Sequence, residues 1–419
     1  MDDYAGPFDP TVDLTRFSRR GLATLGREYM LFGHLLNRAG LPPVHVALGP
    51  AARETVAIEE WMAASPIYTP RMRRAMGIQG NDVETIFKGL QIDVGFAHQY
   101  MDVKYELESG QRGFFWLQSC GALLELEPLG EAAVFSMCHT IEDPTFDATA
   151  VATNPRARCR PVHRPPRVPA DRVPHCRWEC VIDPTAEPVQ EIPLTAKVRA
   201  SRLAAIAFAP PAETSDGGRP DYRGPFDPEF QLEALSRAAL ISVCRELLVQ
   251  DHLLVRALMK AVAERAGDDV AAQVGTAQWI GSGAVASTRL RGALGIAGDD
   301  ASAILKVLQL HPAFLPGYTD VRFALESPAR GRFWIAPCPA LEEGDRHSWF
   351  ALLGDGPHPA LDAMVQAVNP RARCVPAGRL QWDVVVDAGA APAPEPAAAA
   401  VVRASRAARF AFTARPLSA

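Results

Sequence analysis

The chain has 419 residues, of which 48% are hydrophobic and 22% charged, with a formal net charge of −5 and a pI of about 6.1. That is enough apolar material for two buried cores. The balance argues against nucleic acid and against an anionic membrane surface, since no basic stripe is present to neutralise phosphates, and no apolar run approaches the roughly 20 residues that span a bilayer.

The first ten residues, MDDYAGPFDP, contain no basic stretch followed by an apolar one, so no signal peptide is expected. Eight cysteines in a chain of this length do not make a disulfide scaffold; they read as reduced thiols in a cytoplasmic protein, each by default a small buried hydrophobe. Leu14, Phe17, Gly21, Leu22, Leu25, Tyr29 and Phe32 recur at helical spacing and predict a first helix running to Arg38. A second is predicted over Ala51 to Ala64, with Trp61 near its end. A third opens at Asn81, where Asn81 as cap and Glu84 three residues on make a capping box.

The period then changes. Asp102 to Glu108 and Gly113 to Gln118 alternate and are joined by Ser109 to Arg112, which predicts a hairpin. A helix follows around Thr145 to Ala152, then strands over Arg156 to Pro161 and Cys176 to Ile182. On the last strand Cys176, Trp178 and Cys180 share one face, most simply a core face, and His175 lies on the polar one. Helices first and strands second, without strand–helix alternation, predict an α+β fold with an antiparallel sheet and a packed helix.

All of this occurs twice. YAGPFDP at Tyr4–Pro10 returns as YRGPFDP at Tyr222–Pro228, and the spacing of 218 positions holds without a gap through His34/His252, Trp61/Trp279, Arg71/Arg289, Lys88/Lys306 and Cys120/Cys338. After small deletions, NPRARC at Asn154–Cys159 returns at Asn369–Cys374. A period of roughly 200 residues is a duplicated domain rather than a solenoid. The first copy is assigned to 1–209, a Pro/Gly/Asp-rich linker to 210–221, and the second copy to 222–419. A fused duplication of this kind is expected to pack as a pseudo-symmetric pair.

The two copies differ where chemistry could be. Copy one contains FSMCHTIEDPTFDATA (Phe135–Ala150), with Cys138, His139, Glu142, Asp143 and Asp147, followed downstream by His163 and His175. Counted back from the shared NPRARC, copy two places Leu353, Gly354, Pro357 and His358 at the positions of Cys138, His139, Glu142 and Asp143. A residue needed only for packing should be kept by both copies, so the loss of nearly the whole polar set marks copy one as the functional copy and copy two as degenerate. Asp143-Pro144 suggests a helix break, which would put Cys138 and His139 near a helix N-terminus where a thiolate is favoured. Two chemistries stay open. Cys138, His139, Asp143, His163 and His175 are ligand types for a divalent transition metal such as zinc. Equally, Cys138 can be a nucleophile with His139 as base and Asp143 as orienting acid. Glu142, Arg164 and Arg167 are the substrate-binding candidates, the two arginines lying on the extended loop VHRPPRVP. His34/His252 and Arg27-Glu28/Arg245-Glu246 are present in both copies and read as structural; Asp93, which becomes His311, and His98, which becomes Pro316, have no strong reading.

The stretch from Asp102 to Asp183 resembles the family of L-2-amino-thiazoline-4-carboxylic acid hydrolase. The residues carrying the resemblance are Cys138 followed by Asp143, a helix, NPRARC, a Pro/Arg stretch and a strand opening on Cys176-Arg177-Trp178. It implies an α+β fold and hydrolysis of a carbon–nitrogen bond in a small ring. The chain departs from the family in its duplication, its helical N-terminal part, His139 and His163. The expectation is a small-molecule enzyme of hydrolase type with its site in copy one; the alternative is a small-molecule or metal-binding scaffold without turnover.

Overall fold

The computed structural model describes residues 1–212 and 216–418, so the middle of the linker expected at 210–221 lies outside the described residues. Copy one opens with α1 (Arg19–Leu48), whose first turn is capped by Ser18 accepting from the Gly21 N–H at 3.2 Å. A single hinge residue, Gly49 at φ 85°, leads into α2 (Pro50–Ala75). That dihedral suits glycine, which lacks the Cβ that makes it costly. Both helices run past their predicted ends, through Pro42 and Pro43 in α1 and Pro66 and Pro70 in α2. Each proline removes a backbone donor, but the helices are buried on several sides, and tertiary packing supplies most helix stability in a folded protein.

The third helix, α3 (Val83–Leu90), is capped one residue later than predicted. Asp82 accepts from the Thr85 N–H at 2.9 Å, while Glu84 pairs with Lys88 one turn on at 2.7 Å instead of closing a capping box. The predicted hairpin forms as β1 (Met101–Ser109) and β2 (Arg112–Cys120). Next come α4 (Gly121–Leu126), α5 (Glu131–Phe135), a π-helical turn (Ser136–Ile141) and α6 (Glu142–Thr153). The strands β3 (Ala157–His163) and β4 (Cys176–Ile182) and the short helices α7 (Pro193–Arg199) and α8 (Arg202–Ala205) complete the copy.

Copy two repeats the plan with α9 (Arg237–Ala266), α10 (Asp268–Ala293), α11 (Ala301–Gln309), β5 (Asp320–Ser327), β6 (Arg330–Ala336), α12 (Pro359–Gln366), β7 (Ala372–Gly378), β8 (Gln381–Val386), α13 (Ala397–Arg403) and α14 (Arg406–Arg409). The sheets are antiparallel with matching orders, β1-β2-β4-β3 and β5-β6-β8-β7. The fold is therefore α+β. On β4 the Cys176, Trp178 and Cys180 face is buried, with Trp178 parallel to Phe115 and edge-on to Phe146 at 4.7 Å. All eight cysteines are buried free thiols.

The copies are entwined. α1 packs on α9 and α10, and α2 packs on α9. Two ion pairs repeat across this helical centre, Arg289 with Glu28 at 2.7 Å and Arg71 with Glu246 at 2.9 Å. The N-terminal arms are exchanged. The Tyr4 hydroxyl donates to Gln309 of copy two at 2.9 Å, and the Tyr222 hydroxyl donates to Gln91 of copy one at 2.8 Å. Lys88 donates to the Gly224 carbonyl, and Lys306 to that of Gly6. The repeated YxGPFDP segment is thus the latch by which each copy holds the other. Among the described residues no helix is long and apolar enough to cross a membrane.

Candidate functional site

Copy one contains a cavity of about 80 Å³ between α1, α2, the π turn and α6. At the 10–15 Å³ that one water centre needs, this is room for roughly six waters. Its apolar wall includes Trp61, Phe96 and Phe146, and its polar wall His34, Asn37, Arg38, Asp93, Glu142 and Thr149. Helical spacing explains much of this set. His34, Asn37, Arg38 and Leu41 form one stripe of α1, and Glu142, Thr145, Phe146 and Thr149 one stripe of α6.

Most of these polar groups are held in place, yet few are neutralised. Asp93 accepts from the Gly95 N–H at 2.8 Å and from the Thr149 hydroxyl at 3.2 Å, and the Tyr68 hydroxyl interacts with the same carboxylate. Burial nevertheless pushes the Asp93 carboxyl up to about 6, against the lowering effect of those hydrogen bonds. Glu142 has no ion pair within 4 Å among the described residues, and burial pushes it up to about 8. His34 is held down at about 3 by burial and by Arg38, so it is neutral, and its Nε2 makes no well-formed hydrogen bond. The Arg38 Nε donates to Glu125 at 2.7 Å, which balances its charge, and the Tyr100 hydroxyl is its other polar neighbour.

The same space in copy two is filled. Trp279, the counterpart of Trp61, is fully buried beneath Trp349, the two rings 5.3 Å apart and 5° from parallel. His252, the counterpart of His34, stacks on Phe350 and bonds the Pro312 carbonyl at 3.0 Å. Asp93 is replaced by His311, whose Nδ1 accepts from the Ala313 N–H just as Asp93 accepts from Gly95, and whose Nε2 reaches the Gly283 carbonyl at 2.9 Å. Asn37 becomes Val255, Thr149 becomes Met364 and Glu142 becomes Pro357. The latter two follow from the register in which Asp147 and Asp362 accept from the Cys159 and Cys374 N–H groups.

The cluster singled out from sequence is largely dispersed. Cys138 and His139 do not open a helix. They lie in the π turn that joins α5 to α6 without a break, and the Glu142 N–H reaches back five residues to Met137. Pro144 sits inside this continuous run, one turn after the π segment, so the residue pair Asp143-Pro144 does not break the helix as expected. No helix N-terminus therefore favours a Cys138 thiolate. Burial, with Glu142 beside it, pushes that thiol far up, which is the opposite of activation.

His139 stacks on Phe135 at 4.1 Å, and its Nε2 engages the Pro165 carbonyl at 2.7 Å. Asp143 pairs with Arg164, and Arg167 forms a two-toothed bridge to Glu127 at 2.7 and 2.8 Å. These contacts latch the 163–175 loop against the π turn, α6 and the turn that follows α4; none of its residues lines the cavity. His163 sits at the end of β3 opposite Arg177. His175 is buried rather than on a polar face, and its Nδ1 accepts from the Cys120 N–H at 3.0 Å. The expected ligand set of Cys138, His139, Asp143, His163 and His175 does not converge. Among the described residues no three His, Cys, Asp or Glu side chains are placed to hold a metal ion.

Of the candidates, Glu142 reaches the cavity, with Cys138 hydrogen-bonded beside it. His34, Asn37, Asp93 and Thr149 were not among the candidates. The copy comparison that singled out Glu142 also marks three of these four, because Asn37, Asp93 and Thr149 all change in copy two. No family model, no curated protein and no solved structure matches the chain.

Proposed function

We propose that the protein is a hydrolase acting on a carbon–nitrogen bond of a small molecule held in the copy-one cavity, with copy two as its scaffold. One observation carries this reading. Two copies of one fold keep the same tryptophan at the same place, yet one has an acid-lined cavity over it and the other a packed aromatic side chain. A concave, mostly apolar site with a few convergent polar groups is what small-molecule recognition requires.

Glu142 is the group suited to move protons, because an acid near 8 is available in both forms around neutral pH. In its ionised form it takes a proton from water as the water oxygen bonds to the substrate carbon. The same carboxyl then returns that proton to the nitrogen as the carbon–nitrogen bond breaks. Neutral His34 and the Arg38 guanidinium, both in the cavity wall, are available to orient the substrate. Cys138 acts through Glu142 as a positioning residue, not as a nucleophile.

The test incubates small cyclic amides, ureas and amidines with the protein and follows product by mass spectrometry. Turnover is expected in the wild type and is lost in Glu142→Gln and in Ala57→Phe, which fills the cavity, while melting curves show both variants folded. Binding without turnover in the wild type would leave a ligand-binding scaffold. Turnover that survives Ala57→Phe would place the chemistry elsewhere and overturn the reading.

A further inference from the structure

The cavity carries acids that have no ion-pair partner of their own, the nearby Arg164 being paired with Asp143. Asp93 and Glu142 line it, and neither has an ion pair within 4 Å among the described residues. A third carboxylate, Asp251 of α9, is fully buried behind Gly33, with neither oxygen hydrogen-bonded, and it feels the charge of Asp93. The one guanidinium in the lining, Arg38, is already neutralised by Glu125. Buried charges are ordinarily paired, because an unpaired one forfeits its hydration without replacement. Copy two loses the Asp93 and Glu142 acids together with the cavity, having His311 and Pro357 in their places.

A second, independent observation points to a ligand. His34 is nine-tenths buried and lines the same cavity; its ring has the Gly95 backbone beside it but its Nε2 makes no well-formed hydrogen bond, whereas its counterpart His252 bonds the Pro312 carbonyl at 3.0 Å. The apolar wall is also of a particular kind: Trp61, Phe96 and Phe146 are aromatic, and ring faces attract cations, tryptophan most strongly.

We infer that the ligand of this cavity is a small organic cation, an ammonium, amidinium or guanidinium without an acidic group of its own, whose charge is met by Glu142 and Asp93 and whose body lies among Trp61, Phe96 and Phe146. This rests on the proposed function in placing the ligand in this cavity, and it adds the ligand's charge. Binding favours the ionised carboxylates, so it releases protons and tightens as pH rises from 6 to 8. The groups facing Asp93 are Tyr68, Tyr105, Thr149 and Asp251; those facing Glu142 are Cys138, Cys120, Cys176, Asp143 and Arg164. Across the cavity, His34 stays neutral over this range.

The experiment uses three probes of like size at constant ionic strength, methylguanidinium, N-methylurea and acetate, with calorimetry on the full chain. Methylguanidinium is expected to bind at least about tenfold more tightly than N-methylurea, the equivalent of one well-placed charge contact. Glu142→Gln should remove most of that preference, and Asp93→Asn serves in its place if Glu142→Gln does not fold. Ala57→Phe, or Ala122→Leu if the first melts early, should abolish binding. Equal binding of the cation and the urea, or a preference for acetate, overturns the inference while leaving the cavity as the site, provided that binding responds to the filling substitutions. Binding of all three probes that ignores those substitutions, or no binding at all, overturns both.

Discussion

Trp349 lies parallel to Trp279 at 5.3 Å and closes, in the second copy, the space that Trp61 lines in the first. The two tryptophans Trp61 and Trp279 hold the same position in their helices, so the difference lies in what covers them. In copy one the covering segment is α5, the π turn and α6, which brings Glu142 over the cavity. In copy two the segment before α12 brings Trp349 and Phe350 instead. A duplicated domain has thus diverged around this tryptophan, exchanging an acid-bearing segment for an aromatic filler, with Asp93 and Asn37 replaced by His311 and Val255 nearby.

Glu142 gives the stability of the protein a pH signature. Its folded value, about 8, lies above the 4.5 of an unperturbed Glu. The folded state therefore binds its proton more tightly than the unfolded state. The stabilisation is complete below about 4.5 and is lost as pH rises toward 8. Asp93, raised to about 6, acts in the same direction over a lower window. Denaturant titrations at pH 5, 6, 7 and 8 should show stability falling with a slope on the order of 1 kcal/mol per pH unit for each such group. Glu142→Gln should flatten the part between 6 and 8. An unchanged slope in that variant would mean that Glu142 is ionised throughout.

Cys138 should be inert. Its thiol is buried and pushed up by that burial and by Glu142, so almost none is thiolate at neutral pH. Iodoacetamide at pH 7, followed by peptide mass spectrometry, should modify Cys138 more slowly than a free thiol by orders of magnitude, and a chelator should change nothing. Modification faster than a free thiol would restore the nucleophile reading.

How much of this was legible in the sequence depends on the kind of signal. The period change from helix to strand survived because it is local: the hairpin formed within a residue or two of Asp102–Gln118, and the Cys176/Trp178/Cys180 face is the core face. Helix ends were lost wherever packing overrode local chemistry, as at Pro42, Pro43, Pro66 and Pro70. For the site, the comparison of copies found Glu142 but set His34 aside because both copies keep it. A residue can be retained while its surroundings change: His252 has the Pro312 carbonyl and the Phe350 ring, and His34 has a cavity. The filler, Trp349, sits where deletions break the register, so no position-by-position comparison could have exposed it. Nearness in sequence also misled. Cys138, His139 and Asp143 are close along the chain, yet the π turn sends His139 and Asp143 outward to Pro165 and Arg164.

Glu60 supplies a test of the copies as each other's controls. It is fully buried on α2, and neither of its carboxyl oxygens has a hydrogen-bond partner among the described residues. Burial alone pushes its carboxyl well up. At the equivalent place copy two has Gln278, whose amide donates to the Leu36 carbonyl at 3.3 Å. Glu60→Gln should therefore stabilise the protein by about 1–3 kcal/mol at pH 7, the range for relieving an unsatisfied buried polar group. The gain should shrink as pH falls and the Glu60 carboxyl takes up its proton, since the acid can then donate in the same way. A loss of stability at pH 7 would show that the Glu60 carboxylate has a partner of its own.

Trp349 is 1% exposed and packs on Trp279, His252 and Phe32. Removing its ring in Trp349→Ala should cost about 3–5 kcal/mol, the sum of lost transfer energy and an unfilled cavity. What is left should resemble the copy-one cavity in place but not in charge, because His311 and Pro357 stand where Asp93 and Glu142 stand in copy one. His311 is held neutral at physiological pH by burial, at about 4, and is hydrogen-bonded on both nitrogens, so it offers a ligand nothing. An apolar cavity of this kind takes up apolar molecules such as benzene. Benzene should therefore raise the melting temperature of Trp349→Ala and leave that of the wild type unchanged, since mass action stabilises only the form that binds. Methylguanidinium should add nothing to Trp349→Ala beyond what it does for the wild type. A cost below about 1 kcal/mol would mean that the surrounding side chains collapse into the space, and a cation response specific to Trp349→Ala would show that the acids Asp93 and Glu142 are not what gives the first copy its preference.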